Sequence, residues 1–293
     1  MSQQELVNRH SRKMHSGAPA LPPLEHGDRL TREEFLRRWE AMPRLKHAER
    51  IGGRVMMSAS LRPRRALNGD DPAIPPLENG DVLSRDEFRR RWANMSSLKR
   101  AERFDGSVFM QAAVRFREHG QPHQDLQGWL MHYKAFTPGV EGADNATLEG
   151  PHDDPQPDCS LIISPECGGS CEVNDEGYLV GAPEFLAEIA ASSASFDLHE
   201  KFDSYQRSGV REYLVWKVLE RAIVWFVLDG DHYRELPADP DGIHRSLVFP
   251  GLWLETAAII AGDLRRVLEV LQQGLQSAEH TAFAQRLQAA RHN

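Results

Sequence analysis

Two carboxylates and a lysine stand out by where they sit. Asp158 follows Pro157 at the head of an apolar run containing Leu161, Ile162 and Ile163, and Glu188 is isolated among Phe185, Leu186, Ile189 and Ala190. Lys201 lies in the polar, helix-like segment beyond, ahead of a third apolar run, Tyr213-Leu214-Val215-Trp216. A carboxylate inside an apolar strand is costly unless it meets a cation or another partner. Hydrolysis of a phosphodiester at neutral pH needs an activated water and compensation for charge on a phosphorane-like transition state. Two carboxylates holding Mg²⁺, with a lysine nearby, supply both. The same residue types admit a second reading. Asp158 is then a turn residue after proline, Glu188 faces solvent on an edge strand, and Lys201 is a solvated lysine on a polar helix. His119 and His123 add groups able to contact a phosphate or a base, although His123 also stands where a helix begins. Ser192-Ser193 lacks the G-x-S-x-G turn of a serine nucleophile, and neither a P-loop nor G-x-G-x-x-G occurs.

These residues need a scaffold, and the pattern predicts a mixed α/β body. Strands are expected at 158–163 and 185–190, flanking a loop that holds Cys167-Gly168-Gly169. If the two strands pair, both carboxylates project to one side. A helix over 196–207, ended by Gly209, leads to a hairpin at 212–219 and 222–228, and Asp229-Gly230 turns the chain into 232–236. Upstream, Pro122 and His123 open a helix whose stripe is Leu126, Trp129, Leu130 and Tyr133, followed by a strand at 144–148. Phe249-Pro250-Gly251 breaks the chain before helical tracts at 257–276 and 280–290.

The N-terminal third holds a duplication. Leu21-Pro22-Pro23-Leu24-Glu25-His26-Gly27-Asp28 recurs 53 positions later as Ile74-Pro75-Pro76-Leu77-Glu78-Asn79-Gly80-Asp81, and the similarity continues without a gap. Each copy has a capping box, Thr31-Arg32-Glu33-Glu34 or Ser84-Arg85-Asp86-Glu87. Each then has an aromatic pair at i, i+4, Phe35 and Trp39 or Phe88 and Trp92. A hairpin is expected next, with Asp105-Gly106 a strong two-residue turn and Gly52-Gly53 a permissible one. Two copies are too few for a solenoid. The second copy alone has a connection short enough to join the main sheet, and residues 58–73 read as a linker.

Composition sets outer limits. The chain has 293 residues, 40% hydrophobic and 27% charged, as expected of a soluble globular protein. No apolar run is long enough for a membrane span or a classical signal peptide, so the cytoplasm is the expected compartment. The net charge of −8 is unevenly spread: residues 1–110 carry 21 Lys and Arg against 15 Asp and Glu, and the rest is acidic. An acidic body does not by itself attract phosphate, although a bound dication would offset it locally. Cys159, Cys167 and Cys171 are an odd set with no matching partners for a four-ligand zinc site, and reduced loop cysteines are expected.

Several motifs in order carry a resemblance. They are Pro157-Asp158, then the run from Gly181 to Ser193 containing Phe185-Leu186-Ala187-Glu188-Ile189-Ala190, and Asp197-Leu198-His199-Glu200-Lys201. Tyr205 and Gly209-Val210-Arg211-Glu212-Tyr213-Leu214-Val215 follow. In the N-terminal half, the helix with Glu-Phe, the Glu-x-x-x-Gly hairpin, His119-Gly120-Gln121-Pro122-His123 and Asp144-Asn145-Ala146-Thr147 add to it. Over about residues 80–255 the chain resembles the Uma-type family of bacterial restriction-endonuclease-like proteins. The resemblance implies a PD-(D/E)xK core, a central mixed sheet flanked by helices, in which Asp158 and Glu188 bind Mg²⁺ or Mn²⁺. The motif lysine position, two after Glu188, is Ala190, and Lys201 from the next helix is the implied replacement. Glu102 matches a family glutamate that would complete the site, and His123 is a further candidate for it. DNA is the implied partner, with a homodimer left open. The implied division is 1–73 (tail, first copy, linker), 74–255 (nuclease-like domain) and 256–293 (helical tail). The alternative is a module that keeps the fold for binding and does not cleave.

Overall fold

The computed structural model describes residues 21–22, 24, 27–42, 49–51, 54–56, 74–95, 98, 100–110, 116–150, 153–190 and 197–291. Among them no helix is long and apolar enough to cross a membrane. Gly52-Gly53, Ser192-Ser193 and the whole of the 58–73 linker reading lie outside the described residues.

Each N-terminal copy folds as a short helix followed by a two-stranded hairpin. The first copy has α1 (Arg32–Glu40), β1 (Glu49–Ile51) and β2 (Arg54–Met56); the second has α2 (Arg85–Ala93), β3 (Glu102–Phe104) and β4 (Ser107–Phe109). The caps form as the residue types require: the Thr31 hydroxyl accepts from Glu34 N–H and the Ser84 hydroxyl from Glu87 N–H. Equivalent interactions recur throughout. Leu24 N–H and Leu77 N–H each lie 3.0 Å from a methionine sulfur, Met42 or Met95. Phe35–Trp39 and Phe88–Trp92 are spaced at 5.3 and 5.4 Å between rings. Asp105 and Gly106, both at positive φ, make the tight turn between β3 and β4. This hairpin does not enter the main sheet, contrary to expectation. It remains a separate two-stranded sheet, joined to the body by an isolated β-bridge between Arg103 and Asp154 and by side-chain contacts of Glu102 and Arg103.

The body is built on a six-stranded mixed sheet in the order β13-β12-β11-β10-β7-β5. Its strands are β5 (Val140–Asp144), β7 (Cys159–Ile163), β10 (Phe185–Ala190), β11 (Glu212–Lys217), β12 (Ala222–Asp229) and β13 (His232–Glu235). Only β10 and β11 pair in parallel, and the crossover between them contains a π-turn, Asp197–Lys201, running into α4 (Phe202–Arg207). The expected strand at 144–148 is displaced. β5 ends at Asp144, Asn145 turns at φ 52, and Leu148–Glu149 forms β6 in a separate three-stranded sheet with β8 (Cys171–Val173) and β9 (Leu179–Gly181).

Alternation along β10 assigns its two faces. Phe185, Ala187 and Ile189 enter one apolar cluster with α3 (Gln121–Ala135) and the C-terminal helices, while Leu186 and Ala190 enter a second with Tyr205, Tyr213 and Val215. The first cluster also takes in Val267, Leu271 and Leu275 from α6 (Leu264–Leu275) and Phe283 and Leu287 from α7 (Ala278–Arg291). The helices beyond residue 255 therefore share the sheet's own core. The tract expected at 257–276 is broken into α5 (Thr256–Ala261) and α6, because Gly262 takes a left-handed conformation and Asp263 caps the next helix.

The cysteines are all free and buried, and two of them are not in loops. Cys159 lies on β7 and Cys171 on β8, with only Cys167 in a turn. Cys167 and Cys171 enter different apolar clusters, so they do not form a metal loop. The intervening glycines serve the backbone: Gly168 is at φ 87, and a Cβ on Gly169 would lie 1.7 Å from the Ile163 carbonyl oxygen.

Candidate active site

β7 and β10 are antiparallel neighbours, with Ala187 opposite Cys159. This register brings Asp158, the residue before β7, alongside Glu188, and both carboxylates lie on the face of the sheet that α4 covers. Neither is on an edge strand. Asp158 is 1% exposed and Glu188 2% exposed, so the solvated reading of both residues fails.

Each carboxylate is held at defined atoms. Asp158 Oδ2 accepts from Ile189 N–H at 2.7 Å and lies 3.3 Å from His119 Nε2, while Oδ1 accepts from Arg100 Nη1 at 2.7 Å. Glu188 Oε1 accepts from the Tyr205 hydroxyl at 2.8 Å and lies 2.8 Å from Lys201 Nζ. Burial pushes the Tyr205 hydroxyl well above its ordinary pKa, and the Glu188 charge pushes it further, so it stays a donor. Lys201 is 1% exposed, which excludes the solvated reading for it as well.

Lys201 reaches a third carboxylate. Its Nζ is 3.2 Å from Oε1 of Glu102, which also accepts from Gln156 N–H at 2.8 Å. Glu102 belongs to β3, so the second repeat copy contributes directly to this cluster. Ala190, two residues after Glu188, is fully buried in the apolar cluster on the same face. A lysine stem there would have to displace that packing, whereas Lys201 enters from the crossover and meets Glu188 end-on.

His123, near the start of α3, is at the margin. Its Nε2 lies 2.9 Å from the Asp158 carbonyl oxygen and 3.0 Å from Asp144 Oδ1, so it braces the chain at Asp158 and does not reach the carboxylates of the pair. His119 is the closer histidine.

Arg100 is the member that the sequence did not reveal. It is one arginine in a basic N-terminal third, and nothing in its neighbours marks it. In the fold its guanidinium donates to Asp158 Oδ1 and Asn145 Oδ1, each at 2.7 Å, and to the Gln156 carbonyl. It also lies 3.8 Å from Glu102 Oε1 and 4.0 Å from Glu188 Oε2. Burial opposes its charge, but Glu102, Asp158 and Glu188 outweigh that and keep it firmly protonated. Burial would likewise raise the Asp158 carboxyl, but the His119 contact and the Arg100 and Lys201 charges hold it well below the usual carboxylate range.

Hard oxygen donors of this kind suit Mg²⁺ or Mn²⁺. Among the described residues no group of three or more His, Cys, Asp or Glu side chains converges in a way that could hold a metal. Asp158 and Glu188 are two buried carboxylates of this hard-oxygen type on neighbouring strands, and Mg²⁺ is commonly held by only one or two carboxylates together with water.

The model of the Uma2 family, described as "Putative restriction endonuclease", matches residues 85–257, more than half of the chain. A comparison with curated proteins found no match. One similar solved structure is a crystal structure described as a putative nuclease belonging to DUF820 from Anabaena variabilis. It is 11% identical, the match covers 64% of this chain and 97% of that one, and the TM-score is 0.44.

Proposed function

Starting from the fact that the chain belongs to the Uma2 family of restriction-endonuclease-like proteins, we propose that it is a divalent-metal-dependent endonuclease that hydrolyses DNA. The observation that carries this reading is the buried Asp158–Glu188 pair on one sheet face with Lys201 Nζ 2.8 Å from Glu188. Two buried acids backed by a buried lysine are an expensive arrangement for structure alone. Buried ionisable groups perturbed by specific charge partners are candidates for a functional site.

In this reading Asp158 and Glu188 hold Mg²⁺ or Mn²⁺. A bound ion would supply Lewis-acid polarisation of the scissile phosphate and a more acidic coordinated water. The chain's own residues do the rest. Tyr205 and Lys201 fix Glu188 by hydrogen bond and charge. Lys201 brings positive charge to the place where negative charge develops on the phosphate. Glu102 keeps the Lys201 ammonium directed into the cluster, and His123 secures the backbone at Asp158. The compartment we assign is the cytoplasm.

Incubation of the full chain with supercoiled plasmid and Mg²⁺ or Mn²⁺ tests the reading. Nicking or linearisation is expected in the wild type and not in Asp158→Ala or Glu188→Ala. Activity that survives both substitutions removes the site assignment.

A second reading, a binding module that keeps the fold without cleaving, is favoured by a specific observation: Arg100 and Lys201 already set two positive charges against the three carboxylates. Calorimetric titration with Mn²⁺ separates the two, because a pure binding module requires no metal uptake.

A further inference from the structure

In the Asp158–Glu188 pair, one oxygen of each carboxylate is committed to backbone or framework groups, and the other oxygen of each, the inward one, meets Arg100. Asp158 Oδ2 is committed to Ile189 N–H and Glu188 Oε1 to Lys201 and Tyr205. The inward pair is Asp158 Oδ1 and Glu188 Oε2, and the Arg100 guanidinium lies against both, at 2.7 and 4.0 Å. A Mg²⁺ or Mn²⁺ ion coordinated by this pair would need both oxygens at about 2.0–2.2 Å. It would then occupy the space that the guanidinium fills.

We propose that Arg100 is the resident cation of this cluster, a positioning residue that holds Asp158 and Glu188 in register before a divalent ion binds and withdraws when one does. The proposal rests on the reading of Asp158 and Glu188 as the metal pair.

The surroundings of Arg100 allow for both positions. The residue precedes β3 and its side chain is 14% exposed, so it enters the cluster from the rim and can leave the same way. Asn145 Oδ1 and the Gln156 carbonyl, its other two acceptors, are neutral and remain available to a guanidinium that has left the carboxylates. Its Nε is buried with no hydrogen-bond partner among the described residues, so the guanidinium is not fully satisfied inside the cluster. Lys201 differs in its exposure and in its acceptors. It is 1% exposed and lies between two carboxylates, 2.8 Å from Glu188 Oε1 and 3.2 Å from Glu102 Oε1. Lys201 is a fixed charge, whereas Arg100 is an exchangeable one. The consequence is weak intrinsic metal affinity, because a dication must first displace a well-placed monocation.

The test is titration of the full-length protein with Mn²⁺ alone, in wild type and in Arg100→Met, by calorimetry and by thermal unfolding. The expected result is Mn²⁺ binding roughly tenfold or more tighter in the variant, as removal of a positive charge beside a dication implies. Its melting temperature should also rise further on Mn²⁺ addition than that of the wild type. Equal or weaker Mn²⁺ binding in a folded Arg100→Met, with the wild type still binding, overturns the role of Arg100 and leaves the metal pair intact. Absence of Mn²⁺ binding in both proteins overturns the metal pair itself, and the proposal with it. Should Arg100→Met not fold, the wild type decides alone: in Mn²⁺-soaked crystals the guanidinium must be out of contact with Asp158 Oδ1, and a retained 2.7 Å contact beside a bound ion refutes the exchange.

Discussion

Lys201 Nζ lies 2.8 Å from Glu188 Oε1, although the lysine comes from the crossover after the strand and not from the strand itself. The lysine is as buried as the acid it meets, and the same ammonium is 3.2 Å from Glu102. One cation thereby links the sheet, the crossover helix and the hairpin of the second repeat copy.

Replacing Lys201 with Met leaves Glu188 and Glu102 buried without that charge. Breaking a buried pair in this way costs about 3–5 kcal/mol, and urea unfolding is expected to show a loss of that size. Lys201→Arg should recover part of the stability, since it restores the charge, but not plasmid cleavage at the wild-type rate, because its planar fork does not reproduce a point contact with both acids. A Lys201→Met protein of wild-type stability would contradict the buried geometry.

Asp158→Asn and Glu188→Gln keep shape and remove charge. Plasmid nicking with Mn²⁺ should fall by about 10²–10³-fold or more, the range for loss of one preorganised electrostatic group. The folds should persist, which circular dichroism checks. Retained nicking in either folded variant would place the chemistry elsewhere.

Glu212 provides a pH signature unrelated to cleavage. It is fully buried at the start of β11 and accepts from the Ser246 hydroxyl and from the N–H groups of Leu247 and Val248, fastening the loop after β14 (Ile243–Arg245) to the sheet. Burial pushes its carboxyl up to about 7, only partly offset by those hydrogen bonds. For an acid with a raised folded pKa, the native state holds a proton that the unfolded chain releases above its own value of about 4.5. Its contribution is therefore complete below about pH 4.5, declines as pH rises toward 7, and is constant above that. The shift corresponds to roughly 3 kcal/mol. Glu212→Gln should flatten the stability profile between pH 4.5 and 7 relative to wild type, as followed by urea midpoints. Parallel profiles would show that Glu212 is not protonated in the native state.

The first repeat copy is fastened to the body next to the candidate site. Arg29 and Arg54, which pair as an isolated β-bridge, lie 2.7 and 2.8 Å from Oε1 of Glu200, the residue before Lys201. In the second copy the corresponding bridge joins Val82 and Ser107, which carry no charge, and docking instead uses Arg85 and Arg89 against Glu149 and Asp154. Glu200 is largely buried, but Arg29 and Arg54 are 51% and 28% exposed and the pairs are screened from that side, so at about 1 kcal/mol each Glu200→Ala should change global stability only modestly. It should, however, speed tryptic cleavage after Arg54, and added salt should do the same to the wild type. Equal cleavage rates in the two proteins at low salt would mean that the copy is not held at Glu200.

The sequence by itself determined the local architecture and two of the acids. Alternation along 158–163 and 185–190 is a property of the strand, so once the strands pair, Asp158 and Glu188 must share a face. The capping boxes, the aromatic i, i+4 pairs and the Asp105-Gly106 turn are likewise contained within a few residues, and the copies behave alike for that reason. The order of motifs also identified the family. Only the tertiary structure decided that Lys201, Glu102 and Glu188 meet from three separate segments, that His123 braces the chain at Asp158 while His119 approaches the carboxylate, and that the helices after residue 255 complete the core. Arg100 shows the difference most clearly. Among the 35 lysines and arginines of the chain nothing marks it, because a cation is identified by the carboxylates around it, and those come from β3, β10 and the head of β7.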